Sequence, residues 1–191
     1  MLPHTGVETV RVACALASER QTSIVDIRER REDDLDELVA VAARVKRVDG
    51  YPRFVAESDL ARFLTRPKSM MAWVAVREGR IVGHVALNDT TTAPVMQLVE
   101  DRGSSPPAVY VARLLVDPTQ RRDGVGRGLL HHAQRAAVEA VRSPFVDVVE
   151  TPSAAAAITL YRCSGWVEIG RVRVLLVGND VTELVFCAPL T

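Results

Sequence analysis

The 191-residue sequence is short of several features that mark common classes of protein. Lysine occurs only as Lys46 and Lys68, so arginine carries almost all of the positive charge. The three cysteines, Cys14, Cys163 and Cys187, form no C-x-x-C pair, which argues against a disulfide framework or a zinc site. No apolar run approaches the ~18 residues that cross a bilayer. Basic and acidic residues balance at 24 each, which removes the net field that draws a basic protein to nucleic acid. We therefore expect a soluble, cytoplasmic protein with no metal, nucleic-acid or membrane partner.

The length fits one domain, since domains commonly have ~100 to 200 residues. Residues 1–23 show no firm hydrophobic period, and we interpret them as an N-terminal extension. Residues 24–191 are then predicted to form a single domain.

The hydrophobic spacing within that range predicts alternating strands and helices. The predicted strands are 24–28, 72–76, 81–87, 109–116, 145–149, 171–177 and 181–187, and the predicted helices are 32–45, 58–64, 154–161 and one that runs from the glycine-rich stretch to Val141. Residues 89–107 are predicted as a long loop with one helical turn at 95–99. This order predicts an α/β (α+β) fold with a mixed, mostly antiparallel sheet, flanking helices and a central β-α-β unit.

A glycine-rich segment, Arg121-Arg122-Asp123-Gly124-Val125-Gly126-Arg127-Gly128, lies between a predicted strand and a predicted helix. The first N–H groups of a helix have no internal partner, and glycines let an anion approach them closely, so the segment is suited to a pyrophosphate. A simple strand-to-helix turn is the alternative. A dinucleotide fingerprint is absent because Leu129 stands three positions after Gly126, and no G-x-x-x-x-G-K-[ST] loop occurs.

Two motifs resemble those of the GNAT superfamily of acyl-CoA-dependent N-acyltransferases. The spacing Val116-x-Pro118-x-x-Arg121-x-x-Gly124-x-Gly126 resembles its acyl-CoA signature, [RQ]-x-x-G-x-[GA]. The run Ala157-x-x-Leu160-Tyr161-x-x-x-Gly165-Trp166 resembles its second conserved segment. The resemblance covers roughly residues 24–189. One departure is Ala154, where many members have Asn, and there we expect Ser153 to supply a polar contact instead.

The resemblance implies an N-acetyltransferase that moves an acetyl group from acetyl-CoA to a primary amine by direct attack. It implies that a backbone N–H near Leu115 or Val116 polarises the thioester carbonyl, and that Tyr161 returns a proton to the CoA thiolate. The donor-site residues expected from it are Leu114, Leu115, Val116, Arg121, Arg122, Asp123, Gly124, Val125, Gly126, Arg127, Gly128 and Ser153.

The acceptor site is less defined by the sequence. Family analogy places it near residues 49–52, with Tyr51 as a contact, and near residues 89–92. Asp147 and Glu150 are candidates for the base that deprotonates the amine, although charged residues at strand ends are usually just solvated. His84, His131 and His132 have no spaced metal-ligand partners and are interpreted as surface or core residues.

Two other functional classes stay open at this point. A catalytically inactive acyl-CoA-binding regulatory module would keep Gly124 and Gly126 without needing Tyr161. A nucleotide-binding α/β domain could use the same glycine loop. The acceptor is a small molecule, a peptide or a protein terminus, and pairing of exposed strand edges gives a possible homodimer.

Overall fold

A computed structural model describes residues 25–65, 69–103 and 106–189 of the chain, so the predicted extension at 1–23 lies outside the described residues. Seven strands form one sheet in the order β1-β2-β3-β4-β5-β7-β6. Only β4 and β5 are parallel, and all other neighbours are antiparallel. This confirms the predicted mixed, mostly antiparallel sheet. The strands are β1 Asp26–Glu29, β2 Met71–Arg77, β3 Arg80–Asn88, β4 Ala108–Val116, β5 Ser143–Val149, β6 Val167–Leu176 and β7 Asn179–Cys187.

Within the described ranges, five α-helices accompany the strands: α1 Leu35–Asp49, α2 Leu60–Thr65, α3 Ala93–Glu100, α4 Val125–Glu139 and α5 Ala155–Cys163. Helix α3 is longer than the single turn that the sequence predicts, because Pro94 fits the first turn of a helix and Val95 and Val99 bury one face against the sheet. Helix α4 is shorter than predicted. It ends at Glu139, and Val141 is 68% exposed with φ 54°.

The helices cover both faces of the sheet. Adjacent residues of a strand point to opposite faces, and Trp73 packs in the cluster of α4 whereas Val74 packs in the cluster of α1 and α2. In the same way Val146 faces α4 and Phe145 faces α3. Helices α4 and α5 therefore lie on one face, and α1, α2 and α3 lie on the other. No helix of the described ranges is both long and apolar enough to cross a membrane.

The sheet opens in its middle, between the two parallel strands. β4 pairs with β5 only through Ala108–Tyr110 and Ser143–Phe145, after which β5 pairs with β7 alone. The register between β3 and β4 shifts between His84 and Ala86, opposite Arg113, whose φ is 52°. Such a bulge bends one strand of a pair. The result is a wedge between β4 and β5 that begins after Tyr110 and ends at the start of α4.

Candidate active site

The wedge is lined on one side by the edge of β4, which beyond Tyr110 pairs with no other described strand on that side. The N–H of Asp117 donates to the carbonyl of Val82 on β3 at 2.8 Å. Because hydrogen-bonding directions alternate along a strand, Leu115 turns the same way, and Leu114 and Val116 turn their backbone groups to the wedge. The side chain of Leu115 is also buried on the α1 face. The resemblance implies that a backbone N–H near Leu115 or Val116 polarises the thioester carbonyl. Of these two residues, Val116 directs its N–H into the wedge and Leu115 does not. The N–H of Leu114 points into the wedge as well.

The segment after β4 forms a backbone cradle. Arg122 and Gly124 have φ of 72° and 80°, and Gly124 is the N-cap of α4. None of the N–H groups of residues 121–127 donates to a backbone carbonyl of the described chain. Left-handed residues at a helix start gather such N–H groups into a nest that binds anions. The segment therefore has the geometry of a phosphate site.

The two glycines of the cradle have different roles. A Cβ at Gly124 would meet nothing within 4 Å, so this position requires glycine for its positive φ. A Cβ at Gly126 would lie 3.4 Å from Leu160 Cδ2 and 3.5 Å from Val116 Cγ2. These are ordinary van der Waals distances, so the packing of α4 against β4 and α5 would accept a Cβ at position 126.

The charged side chains of the cradle divide into paired and exposed groups. Arg121 binds Asp49 of α1 through Nη1 and Oδ1 at 3.0 Å and also donates from Nη2 to the Val116 carbonyl at 3.2 Å. Asp123 binds Arg77 at 2.9 Å. Arg122 and Arg127 are exposed, and a groove of about 490 Å³ runs from Arg127 toward the end of α5.

Tyr161 projects from α5 and is 5% exposed. Its ring packs 5.7 Å from that of Phe186 and 6.1 Å from that of Trp166. Burial raises the pKa of its hydroxyl, and the neighbouring Tyr51 and Asp147 raise that pKa further. The phenol is therefore protonated at neutral pH and can donate a proton.

Tyr51 lies on the opposite wall, between α1 and α2. Its ring meets Phe63 of α2 edge to face at 5.9 Å, and the guanidinium and backbone of Arg113 oppose the rise in pKa that burial imposes on its hydroxyl. Although 36% of the residue is exposed, burial of the hydroxyl end raises its pKa. The phenol of Tyr51 is thus close enough to Tyr161 to raise the pKa of the Tyr161 hydroxyl.

A pair of carboxylates lies beside these phenols. The Tyr110 hydroxyl donates to Asp147 Oδ1 at 2.7 Å, and the Thr91 hydroxyl donates to Asp147 Oδ2 at 2.8 Å. Glu183 of β7 is 4% exposed, and the Thr92 hydroxyl lies 3.5 Å from its Oε2. Burial raises the pKa of Asp147, whereas burial and the charge of Asp147 raise the pKa of Glu183 to about 7.

This pair, the half-buried Asp147 and the buried Glu183, differs from the other buried carboxylates of the described chain. Asp34 is bound by Arg28 at 2.7 Å and Asp117 by Arg44 at 2.6 Å. Neither Asp147 nor Glu183 forms an ion pair with any described arginine or lysine. Buried carboxylates that lack a cation favour the protonated form and attract a positively charged group.

A family model, the acetyltransferase (GNAT) family, matches residues 33–166 of the sequence. The match spans both motifs and most of the described sheet. The chain belongs to the GNAT acetyltransferase family. It is thus an enzyme of the N-acetyltransferase class, and the expected family, fold and enzyme class are confirmed.

Solved GNAT structures share this fold at low sequence identity. The ribosomal-protein-S18-alanine N-acetyltransferase of Escherichia coli is 17% identical with a TM-score of 0.60, over 87% of this chain and 94% of that one. The Arabidopsis thaliana NAA60 complex with acetyl-CoA is 18% identical with a TM-score of 0.62, over 86% and 97% of the two chains. The ribosomal-protein-alanine N-acetyltransferase of Brucella melitensis is 22% identical with a TM-score of 0.62, over 86% and 99%. No curated protein sequence matches the chain significantly.

Several residues named from the sequence do not gather at the wedge of this GNAT fold. Glu150 is exposed and lies 3.5 Å from Arg171, so its charge is already paired at the surface. Ser153 is exposed and accepts a hydrogen bond from Arg53 at 3.2 Å. His131 is exposed. His132 packs on Trp73, and the described residues contain no group of potential metal ligands.

Sequence reasoning missed three residues of the site. Glu183 becomes a neighbour of Asp147 only through the pairing of β5 with β7, in which Val149 stands opposite Glu183. Tyr110 and Arg113 lie within the predicted strand 109–116, where the sequence pattern gives neither of them a role. The available signal is an acid, Glu183, within the predicted strand 181–187 and an arginine, Arg113, within the otherwise apolar strand 109–116, since neither is expected in a buried strand without a partner.

Proposed function

We propose that this protein is an N-acetyltransferase that transfers the acetyl group of acetyl-CoA to a primary amine by direct attack. One observation carries the proposal: an edge of β4 that pairs with no described strand leads directly into N–H groups at the start of α4 that donate to no described backbone carbonyl. A pantetheine arm can pair with such an edge like an added strand, and a pyrophosphate can sit in such a nest. The two features follow each other in the order that acetyl-CoA requires.

Donor binding then depends mainly on backbone groups. Residues 121–128 bind the pyrophosphate, with the exposed Arg122 and Arg127 adding charge-assisted bonds. The N–H of Leu114 or Val116 binds the thioester oxygen, where a donor aimed at developing negative charge contributes about 3 kcal/mol to the transition state. The groove between the start of α4 and Ser164 would receive the remainder of the CoA molecule.

The carboxylate pair is proposed as the proton acceptor for the incoming ammonium. The amine gives one proton to Asp147, which shares it with Glu183, and its nitrogen then bonds to the acetyl carbon. The C–S bond breaks, Tyr161 gives its proton to the sulfur, and the second amine proton restores the phenol. The products are the N-acetylated amine, CoA thiol and one proton. The absence of a cationic partner for Asp147 among the described residues supports its use by a cationic substrate.

Acceptor choice is proposed to be limited to primary amines that can reach between Tyr51 and Asp147. Two of the similar structures are named for acetylating an alanine of a ribosomal protein, which favours the α-amine of a peptide. Another is named as a putative phosphinothricin N-acetyltransferase, so a small-molecule amine belongs in the same screen. A homodimer through the edge strand β6, where Leu175 is 73% exposed, stays a prediction.

Acetylation of a panel of peptides and small amines, with CoA thiol release as the signal, tests the proposal. We expect turnover with at least one amine and a fall in kcat of about 100-fold or more in Tyr161→Phe with little change in acetyl-CoA KM, because general acid catalysis contributes ~10²- to 10⁴-fold. Calorimetric binding of acetyl-CoA without turnover on any amine would support the inactive acyl-CoA-binding module instead. Absence of binding would exclude both functions.

A further inference from the structure

Arg113 occupies an uncommon position in the middle of β4. Its φ of 52° is in the left-handed region, which residues with a Cβ rarely adopt, and it lies at the register shift that separates the pairs His84↔Leu115 and Ala86↔Ala112. A conformation of this kind persists only where the surrounding structure holds it. The contacts of Arg113 therefore decide whether the wedge between β4 and β5 keeps its shape.

His84 holds the backbone of Arg113 from the β3 side. His84 is 0% exposed, and its Nδ1 lies 3.0 Å from the carbonyl oxygen of Arg113. Its Nε2 is buried and has no hydrogen-bond partner among the residues that the structure describes. Burial lowers the pKa of His84 to about 4, so the ring is neutral and its Nδ1–H donates to that carbonyl.

The side chain of Arg113 extends to one wall of the proposed acceptor site, which consists of the rings of Phe63 and Tyr51 and is called the acceptor wall. Its guanidinium carbon lies 5.7 Å from the ring centroid of Phe63, and Nη1 donates to the Ser69 hydroxyl at 2.7 Å. Phe63 in turn meets Tyr51 edge to face. The guanidinium therefore fixes the end of α2 and the ring of Tyr51 relative to the strand.

We propose that Arg113 is a positioning residue that joins the two substrate sites: its backbone, locked by His84, sets the donor edge, and its side chain holds the Phe63–Tyr51 wall for the acceptor. This inference rests on the proposed acetyl transfer. It predicts that the backbone of Arg113 controls the KM for acetyl-CoA and that its side chain controls the KM for the acceptor amine.

Three variants separate the two roles. Arg113→Gly retains a positive φ without strain and removes only the side chain, so we expect the acetyl-CoA KM to stay within about twofold and the acceptor KM to rise about tenfold, as the loss of a cation–π contact and a hydrogen bond allows. His84→Leu removes the hydrogen bond to the carbonyl, and we expect the acetyl-CoA KM to rise about tenfold. His84→Asn keeps an N–H near the position of Nδ1 and should restore most of the wild-type acetyl-CoA KM.

Phe63→Leu is a fourth variant that leaves β4 intact and should raise the acceptor KM alone, which keeps the test possible if a buried His84 variant fails to fold. Thermal unfolding of each variant identifies a general loss of structure. The proposal is overturned if an active wild-type enzyme shows no KM change in these variants, or if Arg113→Gly and His84→Leu shift both KM values equally. A wild-type protein that does not bind acetyl-CoA would instead contradict the proposed function itself.

Discussion

The guanidinium of Arg121 in the phosphate cradle binds the carboxylate of Asp49 at the end of α1, with Nη1 and Oδ1 3.0 Å apart. Arg121 also bonds the carbonyl of Val116, the last residue of β4. The arginine of the acyl-CoA signature therefore ties the donor loop to α1 and β4, and its charge is directed to a protein carboxylate.

Asp49→Asn tests whether Arg121 acts through loop position or through its charge. If the ion pair positions the loop, its loss should weaken acetyl-CoA binding by up to about fivefold, as expected for a partly exposed pair worth ~0.2 to 1 kcal/mol. If Arg121 contacts phosphate directly, removal of the competing carboxylate should strengthen binding. Calorimetry with acetyl-CoA distinguishes the two, and Glu57→Gln, which loses only the exposed contact to Arg47, is the control.

Gly124→Ala should separate backbone strain from phosphate binding. Its added Cβ meets no atom within 4 Å, so the cost arises from the φ of 80° and amounts to about 1 kcal/mol or more of stability. Gly79→Ala is a matched control, because Gly79 has φ 75° and equally open surroundings in the β2–β3 turn. We expect similar losses in Tm for both variants. Only Gly124→Ala should weaken acetyl-CoA binding. If the two variants bind acetyl-CoA with equal affinity, the segment 121–128 does not bind the phosphates.

The sequence predicts the elements, and it suggests a donor site, from local patterns. The glycine spacing of 124 and 126 and the alternation in β4 are readable within a short window, and in the structure the alternating run is strand β4 and the two glycines lie at the start of α4. The donor role of these residues stays a prediction. Residues near the acceptor wall obey no such pattern. The juxtaposition of Asp147 and Glu183 follows from the β5–β7 pairing, and the role of Arg113 follows from a bulge.

The sequence does not distinguish the two candidates for the base. Asp147 and Glu150 are three residues apart, and each is an acid in or next to the same predicted strand. Asp147 points to the α3 face beneath Tyr110, whereas Glu150 lies just beyond β5 and meets Arg171 in solvent. Burial distinguishes these two acids, and it depends on how α3 and the threonines before it pack. A sequence pattern does not show this packing.

The pH dependence of activity should report the carboxylate pair. The pair must be deprotonated to accept a proton, so kcat/KM should rise with pH through an apparent pKa near the value of about 7 for Glu183. Glu183→Gln removes a like charge beside Asp147 and should move this limb to lower pH, whereas Asp147→Asn should lower activity at every pH. Glu150→Gln is the control with an unchanged limb. An unmoved limb in Glu183→Gln would assign the titration to another group.

The same titration should appear in the stability of the protein. Glutamate has a pKa of about 4.3 in an unfolded chain, and burial raises that of Glu183 to about 7, so the folded state binds more protons between these values. Wild-type stability should therefore fall as pH rises from about 5 to about 8, because the folded protein must accommodate a buried charge above its pKa. Glu183→Gln has no such proton to lose. As pH rises across this interval, the Tm of the wild type should therefore fall relative to the Tm of Glu183→Gln. Thermal unfolding at constant ionic strength measures this difference. A difference that does not vary with pH would show that Glu183 titrates alike in the folded and unfolded chains, and would remove the basis for a shared proton with Asp147.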